Sequence, residues 1–201
     1  MAKQFPHLSP QHQQFIEQQK IFFVGTADRE GRVNVSPKGM DSFRVMGPNR
    51  VVWLSVTGSG NETAAHIAAT KRMTLMFCAL TGAPTILRLY GEARAVYPRD
   101  SDWEELIEAF PDLPGTRQLF DVSIDLVQTS CGMAVPLYEY QGDRTALNQW
   151  AEKKGVDGLE AYQRQKNQVS IDGLPTHLFP KRTTDVTDCP TSTVIGASTC
   201  A

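Results

Sequence analysis

The segment Thr85–Tyr97 reads TILRLYGEARAVY, a long strand pattern with Gly91 inside it. A glycine in a strand interior marks a bulge or a sharp bend of the kind that turns a barrel corner. Five further strand-like runs surround it: Ile21–Ala27, Arg32–Ser36, Arg50–Val56, Met73–Leu80 and Val122–Thr129. They are rich in β-branched and aromatic residues, with turn signals at Asp28–Gly31, Gly47–Asn49 and Gly82–Pro84. Short connections favour antiparallel pairing. The expectation is a mainly β fold with added helices, its core a six-stranded antiparallel barrel. Pro37 cannot donate to a ladder, so it marks a strand end, an edge or a bulge.

Helix signals fall between and after these strands. Ser9-Pro10 pairs an N-cap with a proline suited to the first helical position, so a surface helix runs to about Lys20. Ser59 and Glu62 stand at capping-box spacing and open a second helix through Ala69. Ser101–Glu104 repeats that spacing for a helix ending near Phe110, and residues 143–154 and 157–166 also read as helical. Residues 1–135 are thus expected to form the barrel domain and 136–180 a helical extension of the same domain. The Thr-, Ser-, Asp- and Gly-rich stretch 181–201 is expected to be a disordered tail.

Composition narrows the function. The chain has 201 residues, 41% hydrophobic and 21% charged, which suits a globular protein with a real core. Its 20 basic and 22 acidic residues leave a net charge of −2, which argues against a general nucleic-acid binder. No run of 18 apolar residues predicts a membrane span, and Met1–Ser9 lacks the apolar stretch of a secretory leader. A cytoplasmic, reducing location follows as the expectation. Of the four cysteines none forms a C-x-x-C pair, so no metal site is expected. Cys78 and Cys131 both read as packed thiols. Residues 1–99 hold 12 Lys/Arg against 6 Asp/Glu, and residues 100–201 hold 8 against 16. A basic first half suits an anionic cofactor, and equally suits attraction between the two halves.

Four places carry candidate chemistry. The loop Thr57–Glu62 has two glycines and small hydroxyls and leads into a helix N-terminus, a combination that suits a phosphate. It is neither a P-loop nor G-x-G-x-x-G, and an ordinary capped helix reads the same way. Lys38, after Ser36-Pro37, offers a point charge or is a plain turn lysine. Arg88 lies between Leu87 and Leu89 and needs a partner if it faces inward. His66, on the helix behind the loop, reads as a local hydrogen-bonder. No H-E-x-x-H and no G-x-S-x-G appears, so metal and nucleophilic hydrolysis lack support.

Taken in order, IFFVGTADREGRVNVSPKG, VVWLSVTGSGNETAAHI, MTLMFCAL and ILRLYGEARAV resemble the pyridoxamine 5′-phosphate oxidase-like split-barrel family over about residues 15–135. The resemblance implies a split barrel of the FMN-binding type, a homodimer, and FMN held at the dimer interface. It implies that the second-strand backbone at Asn34, Val35 and Ser36 lies along the flavin ring, with Lys38 at its end. Ser55, Val56, Thr57 and the residues from Ser59 through Asn61 to Thr63 would approach the ribityl chain and phosphate. Arg88 would face the flavin, and Gln128 to Ser130 would complete the pocket from the partner subunit. The function implied is an FMN-dependent oxidoreductase acting on a small molecule. The alternatives are a non-catalytic flavin or haem binder or sensor, and a deazaflavin-dependent reductase.

One departure bears on the site. The oxidases proper carry an Arg-Lys pair at the helix start, where this chain has Asn61-Glu62. The expectation is that Glu62 turns back to cap its own helix. Backbone amides with Lys38, Arg72 or Arg88 would then meet the phosphate charge.

Overall fold

The computed structural model describes residues 2–180. Its strands are β1 (Lys3–Phe5), β2 (Phe22–Thr26), β3 (Asn34–Lys38), β4 (Phe43–Gly47), β5 (Arg50–Val56), β6 (Arg72–Cys78), β7 (Thr85–Val96) and β8 (Thr116–Cys131). Its helices are α1 (Pro10–Gln18), α2 (Glu62–Thr70), α3 (Trp103–Ile107) and α4 (Ala146–Lys166). The strands form one sheet in the order β3-β2-β6-β7-β8-β5-β4, with β1 added on β8. Every pairing is antiparallel.

The sheet therefore has eight strands where the sequence suggested six. The two unforeseen ones, β1 and β4, are three and five residues long. β8 also starts six residues before the expected Val122. The turn into β4 is made by Met40 and Asp41, both with positive φ (66° and 52°), and not by a glycine.

Gly91 does bend the sheet. The β7–β8 register slips between Tyr90 and Gly91, and a Cβ at Gly91 would stand 2.0 Å from the Ser123 carbonyl oxygen. No side chain fits there. Curvature brings distant strands together around an aromatic cluster. Phe22 of β2 packs on Phe43 of β4 (5.0 Å between centroids) and on Phe77 of β6 (5.6 Å), and Trp53 of β5 stacks on Phe120 of β8 (4.9 Å). β3 and β4, at the two ends of the strand order, do not pair with each other, which leaves the barrel split along that line.

β5 reads as continuously apolar because both of its faces are covered. Val51 and Trp53 enter the barrel core, while Val52 and Leu54 pack with Trp103 and Leu106 of α3. Burial on this scale, at roughly 25 cal/mol per Å² of apolar surface, dominates the stability of such a fold.

Helix starts differ from expectation in instructive ways. Ser9 caps α1 as anticipated, its Oγ accepting from the His12 N–H at 3.3 Å while His12 Nδ1 accepts from the Ser9 N–H at 3.2 Å. α2 begins at Glu62 behind Asn61, whose side chain caps nothing, so the Ser59–Glu62 capping box does not form. α3 likewise has no side-chain cap, because the Asp102 carboxylate is taken by Arg94. The two expected C-terminal helices are both present within α4, separated by a break at Gly155, whose backbone is not helical (φ 66°, ψ 175°). Cys78 is buried as expected, whereas Cys131, the last residue of β8 and paired with Thr85, is exposed. Cys189, Cys200 and the expected tail 181–201 lie outside the described residues. Among the described residues no helix is long and apolar enough to cross a membrane.

Candidate functional site

A cavity of about 690 Å³ opens beside the split in the barrel. β3 supplies one wall. Its alternation places Asn34, Ser36 and Lys38 toward the cavity, while the Val35 side chain stands on the opposite, exposed face. β5 and the following loop supply the floor, with Trp53, Ser55, Val56, Thr57, Ser59 and Asn61, and Thr63 of α2 closes that end.

The polar side chains at this end are held by specific bonds. Thr57 Oγ1 donates to the Gly115 carbonyl at 2.9 Å and accepts from Gln163 Nε2 of α4 at 2.7 Å. Asn61 and Gln118 exchange two amide hydrogen bonds, at 2.8 and 3.2 Å, in the interior. Asn34 Nδ2 donates to Thr63 Oγ1 at 3.2 Å and to Thr26 Oγ1 at 3.3 Å, and Thr26 Oγ1 is 3.1 Å from His66 Nδ1. His66 is 2% exposed. It braces α2 against β2 and is not among the residues lining the cavity; it is a hydrogen-bonder as expected, but to a partner 40 residues away and not a local one.

The principal charge at the site is one that sequence reasoning missed. Arg117 of β8 lines the cavity and is almost fully buried. Its Nη1 donates to Asn167 Oδ1 at 2.8 Å and to the Gly60 carbonyl at 3.1 Å, and its Nη2 donates to Ser55 Oγ at 3.2 Å. Its Nε is buried without a partner. All its partners are neutral. Burial pushes the guanidinium down to about 10, which still leaves it charged at neutral pH. Lys38 lies in the same cavity, with Nζ 5.1 Å from the centre of the Trp53 ring. Burial, then repulsion from Arg117, lowers its pKa to about 8.

Glu62 also lines the cavity, but its carboxylate does not cap α2. It accepts from the Ile171 N–H at 3.0 Å, a contact across 109 residues. The other expected cations stand elsewhere. Arg72 reaches toward the Asp28 carbonyl at 3.4 Å. Arg88 pairs in register with Gln128 and donates from Nη1 to Ser130 Oγ at 3.0 Å. Arg88, Gln128 and Ser130 thus come together on the β7–β8 face and do not line the cavity.

Three cations without an ion pair among the described residues (Lys38, Arg117 and the exposed Lys166), a helix N-terminus and a glycine-containing loop converge on one cavity of small-molecule size. Such an arrangement is chemically suited to an anion. Comparison with known proteins agrees on the kind of molecule this is. The family model of pyridoxamine 5′-phosphate oxidase matches residues 8–131. The chain belongs to the pyridoxamine 5′-phosphate oxidase family. Among its relatives, the pyridoxamine 5′-phosphate oxidase family protein ustO of Aspergillus flavus is 34% identical over 189 residues, covering 85% of this chain and 76% of that protein. A candidate pyridoxamine 5′-phosphate oxidase of Lactobacillus delbrueckii has a similar fold, with a TM-score of 0.50 at 19% identity over 61% of this chain and 94% of that one. A HupZ variant of group A Streptococcus also scores 0.50, at 14% identity over 61% of this chain and 98% of that one. At these identities the likeness to the solved structures establishes the family's fold and nothing finer.

Arg117 brings a positive charge to the Gly60–Asn61 end of the cavity, where the sequence reading placed none. The signal for it was faint: an arginine beside Gln118 at the head of an apolar run, in a place that reads as a polar loop.

Proposed function

We propose that this protein is an FMN-dependent oxidoreductase acting on a small molecule, working as a homodimer in the cytoplasm. The observation that carries the reading is the pairing of buried Arg117 with half-buried Lys38 in one cavity, neither engaged in an ion pair among the described residues. A buried cation without a counter-charge is costly, and a bound phosphate offsets that cost. The unpartnered Arg117 Nε fits an anionic oxygen.

In this reading Arg117 and the Gly58–Thr63 segment hold the phosphate. Asn34, Ser36 and Lys38 line the wall along which the ring would rest. When bound, FMN supplies a ring that accepts or gives up a hydride. The chain's own contribution is to bind and orient: Lys38, charged below about pH 8, keeps positive charge beside the anionic ligand. Arg88, Gln128 and Ser130 would serve the partner's cavity in the homodimer. Support for the flavin comes from family membership together with this charge arrangement.

Fluorescence titration of FMN with the purified protein tests the reading. Saturable quenching at one FMN per chain, followed by bleaching of the bound flavin by NADH or NADPH, is expected. Unquenched flavin fluorescence would overturn it.

A further inference from the structure

Residues 167–176 form a small hairpin after α4, beyond the stretch that matches the family model. It is firmly built. Ser170 N–H donates to the Leu174 carbonyl at 2.8 Å and Thr176 N–H to the Gln168 carbonyl at 3.0 Å. Tyr97 of the barrel donates its hydroxyl to the Thr176 carbonyl at 2.7 Å.

This hairpin grips both ends of the Gly58–Glu62 loop. At one end, fully buried Asn167 donates Nδ2 to the Gly58 carbonyl at 3.0 Å while its Oδ1 accepts from Arg117. At the other, the Ile171 N–H takes the Glu62 carboxylate. One residue on, Asp172 is paired with Arg32 of the β2–β3 connection. The two cavity contacts have complementary electrostatic effects. An amide at position 167 steers the guanidinium without cancelling its charge, and the Ile171 N–H ties off the one carboxylate at the loop. Val169, Ser170 and Ile171 themselves line that end of the cavity.

We infer that the 167–172 hairpin is a clasp in which Asn167 positions Arg117 for a terminal phosphate, and that it closes this end to ligands continuing past that phosphate. This inference rests on the flavin reading above. It makes the site selective for a flavin mononucleotide over a flavin dinucleotide, whose second phosphate and adenosine would have to pass the hairpin.

The test measures dissociation constants for FMN, riboflavin and FAD on the full chain, with Asn167→Asp and Asp172→Ala as variants. In the parent protein FMN is expected to bind at least tenfold more tightly than either riboflavin or FAD. Asn167→Asp sets a carboxylate against Arg117 and removes the bond to the Gly58 carbonyl, so FMN affinity should fall about tenfold more than riboflavin affinity does. A purely structural role would lower both together, and that result would overturn the positioning role. Asp172→Ala unties the hairpin from Arg32 without touching the cavity wall, so the preference for FMN over FAD should shrink. Equal affinities for FMN and FAD in the parent protein would overturn the closure. If the parent protein takes up riboflavin and FMN equally, Arg117 is not serving a phosphate and the clasp fails while flavin binding stands. If it takes up none of the three, the flavin reading itself fails and the clasp with it.

Discussion

Lys38 and Arg117, from β3 and β8, share one cavity, where burial first and the charge on Arg117 second lower the pKa of the Lys38 ammonium to about 8. The two cations repel each other in the free protein. In the proposed reading, a bound phosphate dianion would offset that repulsion.

Arg117→Met should therefore weaken FMN far more than riboflavin. Hydrogen bonds to charged groups contribute about 1.5–3 kcal/mol each, so a loss of roughly 10- to 100-fold in FMN affinity is expected. Fluorescence titration of both ligands checks this. Equal losses for the two flavins would show that Arg117 only supports the fold.

FMN affinity should fall as pH rises through about 8. A phosphate monoester with its second pKa near 6 is already dianionic there, so Lys38 is the group that changes. The same shift acts oppositely on stability. Lys38 loses its proton at about pH 8 when folded but keeps it to 10.5 in the unfolded chain. Between those values the unfolded state binds more protons, so this group's contribution to stability rises with pH. Titrations from pH 7 to 9.5 should show the affinity loss in the parent protein and a flat profile in Lys38→Met. A flat profile in the parent would contradict the assignment.

Gly91→Ala should destabilise the barrel by about 3 kcal/mol or more, since overpacking against fixed backbone is the costly kind. The new Cβ would meet the Ser123 carbonyl carbon and oxygen, which no rotamer change relieves. Urea unfolding measures this, and a loss below about 1 kcal/mol would mean that the β7–β8 bulge relaxes.

His66→Ala should cost about 2–4 kcal/mol through the void it leaves and the lost bond to Thr26. Its effect should appear in urea unfolding, with FMN affinity of the folded protein changed less than threefold, a bound of about 0.7 kcal/mol. A large affinity loss at full folding would bring His66 into the site.

What the sequence disclosed follows from where each signal resides. Gly91 was legible because a glycine inside a strand pattern has few other uses, and β5 because burial on both faces leaves an unbroken apolar run. β4 was hidden because its turn uses Met40 and Asp41 at positive φ, where glycine or asparagine is the usual marker. The head of β8 was hidden by Arg117 and Gln118. Both are buried polar residues, one in the site and one bonded to Asn61, so the polar-outside rule misreads them. The same oversight removed the main cation from the expected site. Asn34, Ser36, Lys38 and the Ser55–Thr63 stretch do line the cavity. Glu62 was read as a local cap because its true partner, Ile171, lies 109 residues away, and no local pattern encodes that contact.

The most direct test of the central claim is the visible absorption spectrum of the purified protein before and after adding FMN, with the chromophore released by heat and identified. The account predicts flavin bands in the protein fraction and release of FMN at one per chain. A spectrum that stays featureless with excess FMN would contradict it, because the cavity of Arg117 and Lys38 would then hold no flavin phosphate.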